Sequence, residues 1–580
     1  MRLGLLRLFQ SNFYVSFLLS FLLLGTVGGL LLYPSSDVTI VQSMFTSFSA
    51  ITSTGLSPFN FQQSSFLFKI IVLILIQLGS MPLWSLVPLI VRRRFLTHNF
   101  SELVFPEEFI QQVYRRNSSL SDLQSLDKDV SLDMSEEEAQ LNASIPLYQY
   151  STEYWATIKL CKVIIIYIAS CYLICMSLLS LRFLFSPYAR SIASEVGGWV
   201  WFSFFHTING FNNAGFALFN SSLEPFNDDP FILFPLTFVM FAGLAGYPIF
   251  LRSIVRILAD RTRFSPVYKF LLSHGREVYT HLFSQVETNW LSFWAFLLYS
   301  LEFVSLLFDF KALPHSGLLT LLNVYFGSIT VKSTGFSSFD LNLLSPSSLL
   351  ITLLLMIVGQ IPFIATLRGS AREFQKKKKK KLNDPKSLTA AFLRILKSQQ
   401  DTAWLRDCFW VSISSFLVLV SFGNFKDNRI FTAIFEVASA YGNVGLSLGW
   451  EGVEGSFVAF IPPFGQIVLC LTCVAGRLRG LPTSYDRSIT TRTFEGVADD
   501  VLRLLPVETL AKMGVDNNQS SLKDFKIDPR IEMLLTRGCL PEDSITFIVT
   551  HHTYPPRRIM NVRELMDLRR AQEPVSDDDT

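Results

Sequence analysis

Apolar stretches with few charges recur along this chain in pairs, and polar or charged segments separate one pair from the next. The pairs are residues 10–36 with 70–91, 155–185 with 230–250, 290–310 with 349–366, and 409–423 with 457–475. Each stretch predicts a helix that crosses a hydrocarbon layer roughly 30 Å thick. Between the members of each pair lies another apolar segment: 38–57, 199–219, 318–339 and 431–448. The pattern therefore predicts eight spans in four helix, re-entrant loop, helix units. Arginines follow the second member of every pair: Arg92-Arg93-Arg94, Arg252 and Arg256, Arg368 and Arg372, then Arg477 and Arg479. Positive charge marks the cytoplasmic face, so the loops enter from outside and both termini lie inside. The organisation that follows is 1–96 first unit, 97–154 polar linker, 155–256 second unit, 257–288 connector, 289–372 third unit, 373–403 basic linker, 404–487 fourth unit and 488–580 cytoplasmic tail.

Each intervening segment ends in nearly the same five residues: Ser53-Thr54-Gly55-Leu56-Ser57, Asn213-Ala214-Gly215-Phe216-Ala217, Ser333-Thr334-Gly335-Phe336-Ser337 and Asn443-Val444-Gly445-Leu446-Ser447. Irregular backbone at membrane depth is tolerated only where it lines a water-filled path or is buried in protein. A short helix entering from outside aims its carbonyl end, the negative pole of its dipole, at the membrane centre, where it favours cations. Glycine then supplies backbone angles that other residues reach only with strain. The candidate ion-binding residues are therefore Ser53, Thr54, Gly55, Asn213, Ala214, Gly215, Ser333, Thr334, Gly335, Asn443, Val444 and Gly445, acting through backbone oxygens that replace an ion's water shell. Helix-packing glycine is the competing reading of any single site. It does not explain why the same five-residue grammar returns once per helix pair.

Composition fits this picture. Half the residues are apolar, 54 are Phe and the formal net charge is only +3, which gives no reason to expect a nucleic-acid partner. The seven cysteines lie mostly within apolar stretches and indicate no disulfide framework; Cys470 and Cys473 form a C-x-x-C without a second ligand pair. Lys376 to Lys381, directly after a span, reads as an anchor near anionic lipid. The fold class expected is an all-α polytopic membrane protein, with four helix–pore loop–helix repeats arranged pseudo-fourfold around a central ion pore.

The pentads look like a degenerate Thr-Val-Gly-Tyr-Gly filter, and the whole layout resembles the Trk/Ktr/HKT superfamily of potassium transporters. The similarity is strongest to the fungal Trk branch, through Phe435-Glu436-Val437-Ala438-Ser439-Ala440-Tyr441-Gly442 and Gly476-Arg477-Leu478-Arg479-Gly480-Leu481-Pro482. The resemblance covers residues 1–487. It implies potassium uptake at the plasma membrane, with no cofactor, K+ as the transported ion, Rb+ and Na+ as further candidate cations, and a homo-oligomer, typically a dimer, in the lipid bilayer. In that superfamily serine in place of the first filter glycine accompanies sodium preference; Gly55 stands here, which implies potassium. Ser57, Ala217, Ser337 and Ser447 replace the filter's second glycine, which implies looser discrimination. The alternatives are a sodium-permeable or a proton- or sodium-coupled symporter, the ion-translocating subunit of an ATP-driven complex, and, from another class, a membrane enzyme using His206 or Glu302.

The resemblance also makes Arg477 a positive barrier below the filter, with an interfacial snorkelling anchor as the alternative. It makes Gly359, within Val358-Gly359-Gln360-Ile361-Pro362, part of an intramembrane gate; a simple kink reads equally well. Lys332 and Glu436 flank the third and fourth pentads and are expected to hold the loops in register, together with Asp340, without binding the ion. His206 reads as structural, since no partner stands at ligand spacing. Asn220-Ser221-Ser222 is a sequon on an outer segment, near Glu224, Asp228 and Asp229; those at Asn117 and Asn142 fall in the linker and are expected to be silent.

Overall fold

The computed structural model describes residues 13–35, 38–100, 136–262, 264–313, 317–332, 334–359, 361–364, 366, 403–423, 430–449 and 455–479, together with strands in the tail. Ser333 and the lysine run lie outside the described residues. The chain divides into two compact units: one comprises residues 1–90, 160–257 and 271–489, the other 91–159, 258–270 and 490–580.

The first unit holds all four repeats. In the first, α1 (Phe13–Leu32) leads to α2 (Ile40–Ile51), then α3 (Phe66–Leu78) and α4 (Met81–Phe100). Thr39 starts α2 with a capping box closed by Gln42, satisfying amide groups that a helix start otherwise leaves open. The second repeat is α5 (Glu136–Phe185), α6 (Trp199–Asn212), α7 (Pro230–Gly243) and α8 (Gly246–Arg261). Asp229 caps α7, with Pro230 in the first turn, where its missing N–H costs nothing. After α9 (Ser265–Val278) come α10 (Gln285–Phe308), α11 (Leu318–Thr330) and α12 (Pro346–Val358); the fourth repeat is α13 (Ala403–Ser421), α14 (Ile430–Gly442) and α15 (Pro463–Leu478).

By length and composition four of these helices are able to cross a membrane, and six if each bent pair counts as one span. The bent pairs are α3 with α4, turning by 52°, and α7 with α8, turning by 79°. A helix stands at each of the eight expected spans. The last two are shorter: α13 is apolar only from Asp407, and α15 has 16 residues. Outward-facing side chains include Phe185, Phe296, Phe308 and Leu318, all more than 70% exposed, a surface that suits lipid rather than water. Helix α5 begins at Glu136, inside the segment read from its polarity as linker; Glu, Ala, Gln and Leu there are good helix formers. In the second unit, β1 (Phe525–Lys526), β2 (Phe547–His551) and β3 (Arg558–Met560) form an antiparallel sheet in the order β1-β2-β3. The helical fold class thus holds for the membrane-spanning part.

Candidate functional site

Helices α2, α6, α11 and α14 are the short helices of the four loops, and each ends within three residues of its pentad. Their carbonyl ends therefore lie at the pentads, as the dipole argument requires. In the first, second and fourth loops, the first pentad residue takes a left-handed conformation: Ser53 at φ 56°, Asn213 at 53° and Asn443 at 52°. The next residue's N–H then returns to the helix, Thr54 to the Ser49 carbonyl (2.8 Å), Ala214 to Asn209 (3.0 Å) and Val444 to Ser439 (3.0 Å). The third loop departs from this. There Thr334 and Gly335 both donate to the Thr330 carbonyl, at 3.0 and 3.4 Å.

The pentad glycines all have positive φ: 91° at Gly55, 75° at Gly215, 66° at Gly335 and 95° at Gly445. Conformation alone would favour glycine; space demands it. A Cβ on Gly55 would fall on the Ala214 carbonyl oxygen, one on Gly215 on Thr334, one on Gly335 on Val444, and one on Gly445 on Thr54. Loop one touches loop two, two touches three, three touches four, and four returns to one. Residues far apart in sequence are thus brought together as a closed cycle of glycine-to-carbonyl contacts. Beyond it opens a cavity of about 220 Å³, lined by all four pentad glycines and by Ser57, Ala217, Ser337 and Ser447; Glu224 and Asp340 are the carboxylates on its wall. Glu224 is held above the usual carboxylate range by burial and by the neighbouring Asp340 charge. Asn220 lies on the same wall, with its N–H donated to Gln62 Oε1 (3.3 Å).

Of the charged candidates, Lys332 and Glu436 are buried and Asp340 stands on the cavity wall. Lys332 extends its ammonium over the Tyr299 ring, 3.6 Å from the centroid, and toward the Ala295 carbonyl at 3.4 Å, both on α10. Glu436 accepts from the Val458 N–H (3.2 Å), and Asp340 caps the turn at Asn342 (2.9 Å). These three are not brought together: the buried Lys332 and Glu436 each take a partner close at hand, and the exposed Asp340 stays within its own turn. Glu302, fully buried, accepts from Thr352 Oγ1 (2.7 Å). His206 is also fully buried, stacked on Phe202 with centroids 3.9 Å apart. Among the described residues no cluster of His, Cys, Asp or Glu is suited to a metal.

Below the pentads the return spans bring glycines against the loop helices. A Cβ on Gly79 would strike the Ile51 carbonyl, on Gly243 that of Phe211, and on Gly476 that of Tyr441; Gly359 packs on the Lys332 side chain. Gly359 is therefore one of a set; Gly79 and Gly243 escaped the sequence reading, and Gly476 entered it only as part of the motif from Gly476 to Pro482. Their signal was a glycine within or just after every return span. Gly79 and Gly243 also lie at the two bends, and Gly359 ends α12. Arg477 donates from Nη2 to the Gly79 carbonyl (2.6 Å), and Arg479 from Nη1 to Ile357 (3.1 Å). Both arginines thus occupy carbonyls that helix breaks in other repeats have left open.

Comparison with known proteins gives this geometry a family. The profile of TrkH, a cation transport protein, matches residues 148–494. The chain belongs to the TrkH family. Its relatives include a Dictyostelium discoideum protein named as a candidate potassium transport protein, 32% identical over 64% of this chain and 57% of that one. The potassium transporter TRK1 of Candida albicans is 28% identical over 58% of this chain and 33% of its own length. The low-affinity potassium transport protein of Saccharomyces cerevisiae is 28% identical, over 54% and 41%. The chain thus spans between a third and somewhat over half of these relatives. Among solved structures, the potassium transporter TrkH from Vibrio parahaemolyticus aligns with 80% of this chain and 82% of its own, at 14% identity and a TM-score of 0.46. This TrkH family member is a multi-pass membrane protein of the Trk/Ktr/HKT superfamily, whose members are ion transporters and not enzymes.

Proposed function

We propose that the chain takes up potassium across the plasma membrane, through a pseudo-fourfold filter formed by its four pentads, with both termini in the cytoplasm. The observation that carries this reading is the closed cycle of glycine-to-carbonyl contacts. Four backbone segments that abut one another in turn can present oxygens around one axis, and an ion shedding its water there finds replacements for it. The carbonyl ends of four short helices add negative potential at the same level. The relatives' names supply potassium as the ion. A membrane potential of about 100 mV contributes roughly 2.3 kcal/mol per charge, enough for about fortyfold accumulation, so no chemical coupling is required. The cavity beyond the pentads is the outer vestibule, and Arg477 below them adds a positive barrier to the ion's path. Rb+ follows K+, and Na+ is the competing ion.

The test is rubidium uptake by cells lacking their own potassium uptake. Wild-type chain restores growth at low potassium, and substitution of each pentad glycine in turn abolishes it. Gly55→Ser lowers the preference for K+ over Na+; unchanged selectivity in that variant would count against the filter assignment.

A further inference from the structure

The four pentads are not chemically equivalent around their cycle. The first and third begin Ser-Thr-Gly; the second begins Asn-Ala-Gly and the fourth Asn-Val-Gly. The folded chain places the first residue of one loop beside the second residue of the next. Thr334 Oγ1 donates to Asn213 Oδ1 (2.8 Å), and Asn443 Nδ2 donates to Thr54 Oγ1 (3.0 Å). At the other two seams the second residue is Ala214 or Val444, whose side chains form no hydrogen bonds. Ser53 Oγ, in the pentad that adjoins Ala214, is buried without a partner.

At the exits every seam is joined: Asn220 N–H donates to Gln62 Oε1 (3.3 Å) between loops one and two, and Asn342 Nδ2 to the Leu448 carbonyl (3.0 Å) between loops three and four. Ser337 N–H donates to Ser222 Oγ (3.1 Å), and Leu223 N–H to the Ser337 carbonyl (2.8 Å), joining loops two and three again. Ser57 N–H donates to Ser456 Oγ (3.1 Å), whose hydroxyl donates back to the Ser57 carbonyl (2.6 Å), joining loops four and one. What sets two seams apart is at the pentads: among the described residues, these two carry an Asn–Thr side-chain bond buried from water.

We propose that Asn213 with Thr334, and Asn443 with Thr54, are positioning clamps that fix pentad two to pentad three and pentad four to pentad one at the level of the filter, and that the spacing they hold determines cation selectivity. At the Ala214 and Val444 seams the second residue offers no side-chain bond, so the width yields there first. A clamp fixes the peptide whose oxygen faces the ion, so losing one lets that carbonyl follow a smaller ion inward. The inference rests on the filter reading above.

The test is a set of double-mutant cycles scored by the ratio of rubidium to sodium uptake, which is independent of the amount of protein at the surface. T54V and T334V remove only the hydroxyls. N213G and N443G remove the amides while keeping a residue at ease with positive φ. Each single variant is expected to lower the ratio about fivefold, as loss of one buried hydrogen bond implies. T54V adds less in N443G than it does alone, its remaining effect being the bond of Thr54 Oγ1 to Thr52 Oγ1 (2.8 Å), whereas T334V multiplies the effect of N443G in full, because only the first pair shares a bond. T54S and T334S retain the wild-type ratio. If T54V carries no flux, the cycle of N213G with T334V decides. Same-seam pairs that multiply as cross-seam pairs do, or an unchanged ratio in both valine variants, overturn the clamps. A wild-type chain that moves no rubidium, or glycine variants that move it normally, overturns the filter reading itself.

Discussion

Gly445→Ala separates the two reasons for glycine in the pentads. Gly445 has φ 95°, and an added Cβ would fall on the Thr54 carbonyl oxygen. Gly423 has φ 72° with nothing within 4 Å of the same added atom. Alanine at either position carries the left-handed backbone cost of about 1–2 kcal/mol, and at Gly423 that is the whole effect. At Gly445 the Cβ would also lie 3.3 Å from the Gly55 Cα, so the first pentad has to give way and its carbonyl swings from its place. Loss of one oxygen contact to a charged group is worth about 1.5–3 kcal/mol, or roughly ten- to over a hundredfold in rate. The assay is rubidium uptake per surface molecule in potassium-uptake-deficient cells, with surface protein quantified by external labelling. Gly423→Ala lowers the amount of protein modestly and leaves uptake per molecule at the wild-type value; Gly445→Ala lowers uptake per molecule by at least about tenfold. Equal uptake per molecule in the two variants would refute the view that the cycle of contacts carries the ion.

His281, in the connector between α9 and α10, is buried with both ring nitrogens unpartnered, and burial followed by the nearby Arg276 charge pushes its pKa down to about 3. The folded chain thus holds it neutral, while the unfolded chain binds a proton below about pH 6.5; its contribution is complete above that pH and shrinks by about 1.4 kcal/mol per unit as pH falls toward 3. Between pH 7 and 5 the melting temperature in detergent falls less for His281→Phe than for wild type, by the equivalent of about 2 kcal/mol, and identical slopes would exclude His281 as the titrating group. Arg477→Gln removes the positive charge near the break at Gly79 while keeping a donor for its carbonyl, so rubidium influx at a fixed membrane potential rises; unchanged influx would assign Arg477 to anchoring alone.

The loops were legible because four spaced copies of one pentad admit few other readings, and the pentad carries its own backbone requirement at glycine. What lay beyond the sequence was adjacency. The alternation of Ser-Thr with Asn-Ala and Asn-Val is visible on the page, but it becomes a pair of clamps only once Thr54 is known to face Asn443 and Thr334 to face Asn213. Nothing in the sequence around Gly79 and Gly243 marks them out from their apolar helices, and their partners are carbonyls, which every residue has. Lys332 sits next to a pentad in sequence, yet its side chain runs toward Tyr299 on a helix some thirty residues earlier. The early start of α5 at Glu136 was not legible for a different reason: a polar, acidic helix surface lacks the apolar period from which helices were read.

The glycines of the return spans also divide the repeats into two levels with different kinds of bonding. Above them, the pentads are held by short side chains and backbone groups. Below them, the segments that follow three breaks all pack against the connector. Tyr279 bonds both Ser85 on α4 and Tyr247 on α8, Arg276 donates to the Thr366 carbonyl (2.6 Å), and His281 stacks on Phe363. A rotation at the Gly79 bend therefore cannot proceed alone, because Ser85 would pull Tyr279 and, through it, Tyr247. Helix breaks cost hydrogen bonds within their own helix, and the carbonyl freed at Gly79 is taken up by Arg477 from another repeat. A rotation that carries the Gly79 carbonyl away must therefore release that arginine, so the positive charge and this bend are tied to each other.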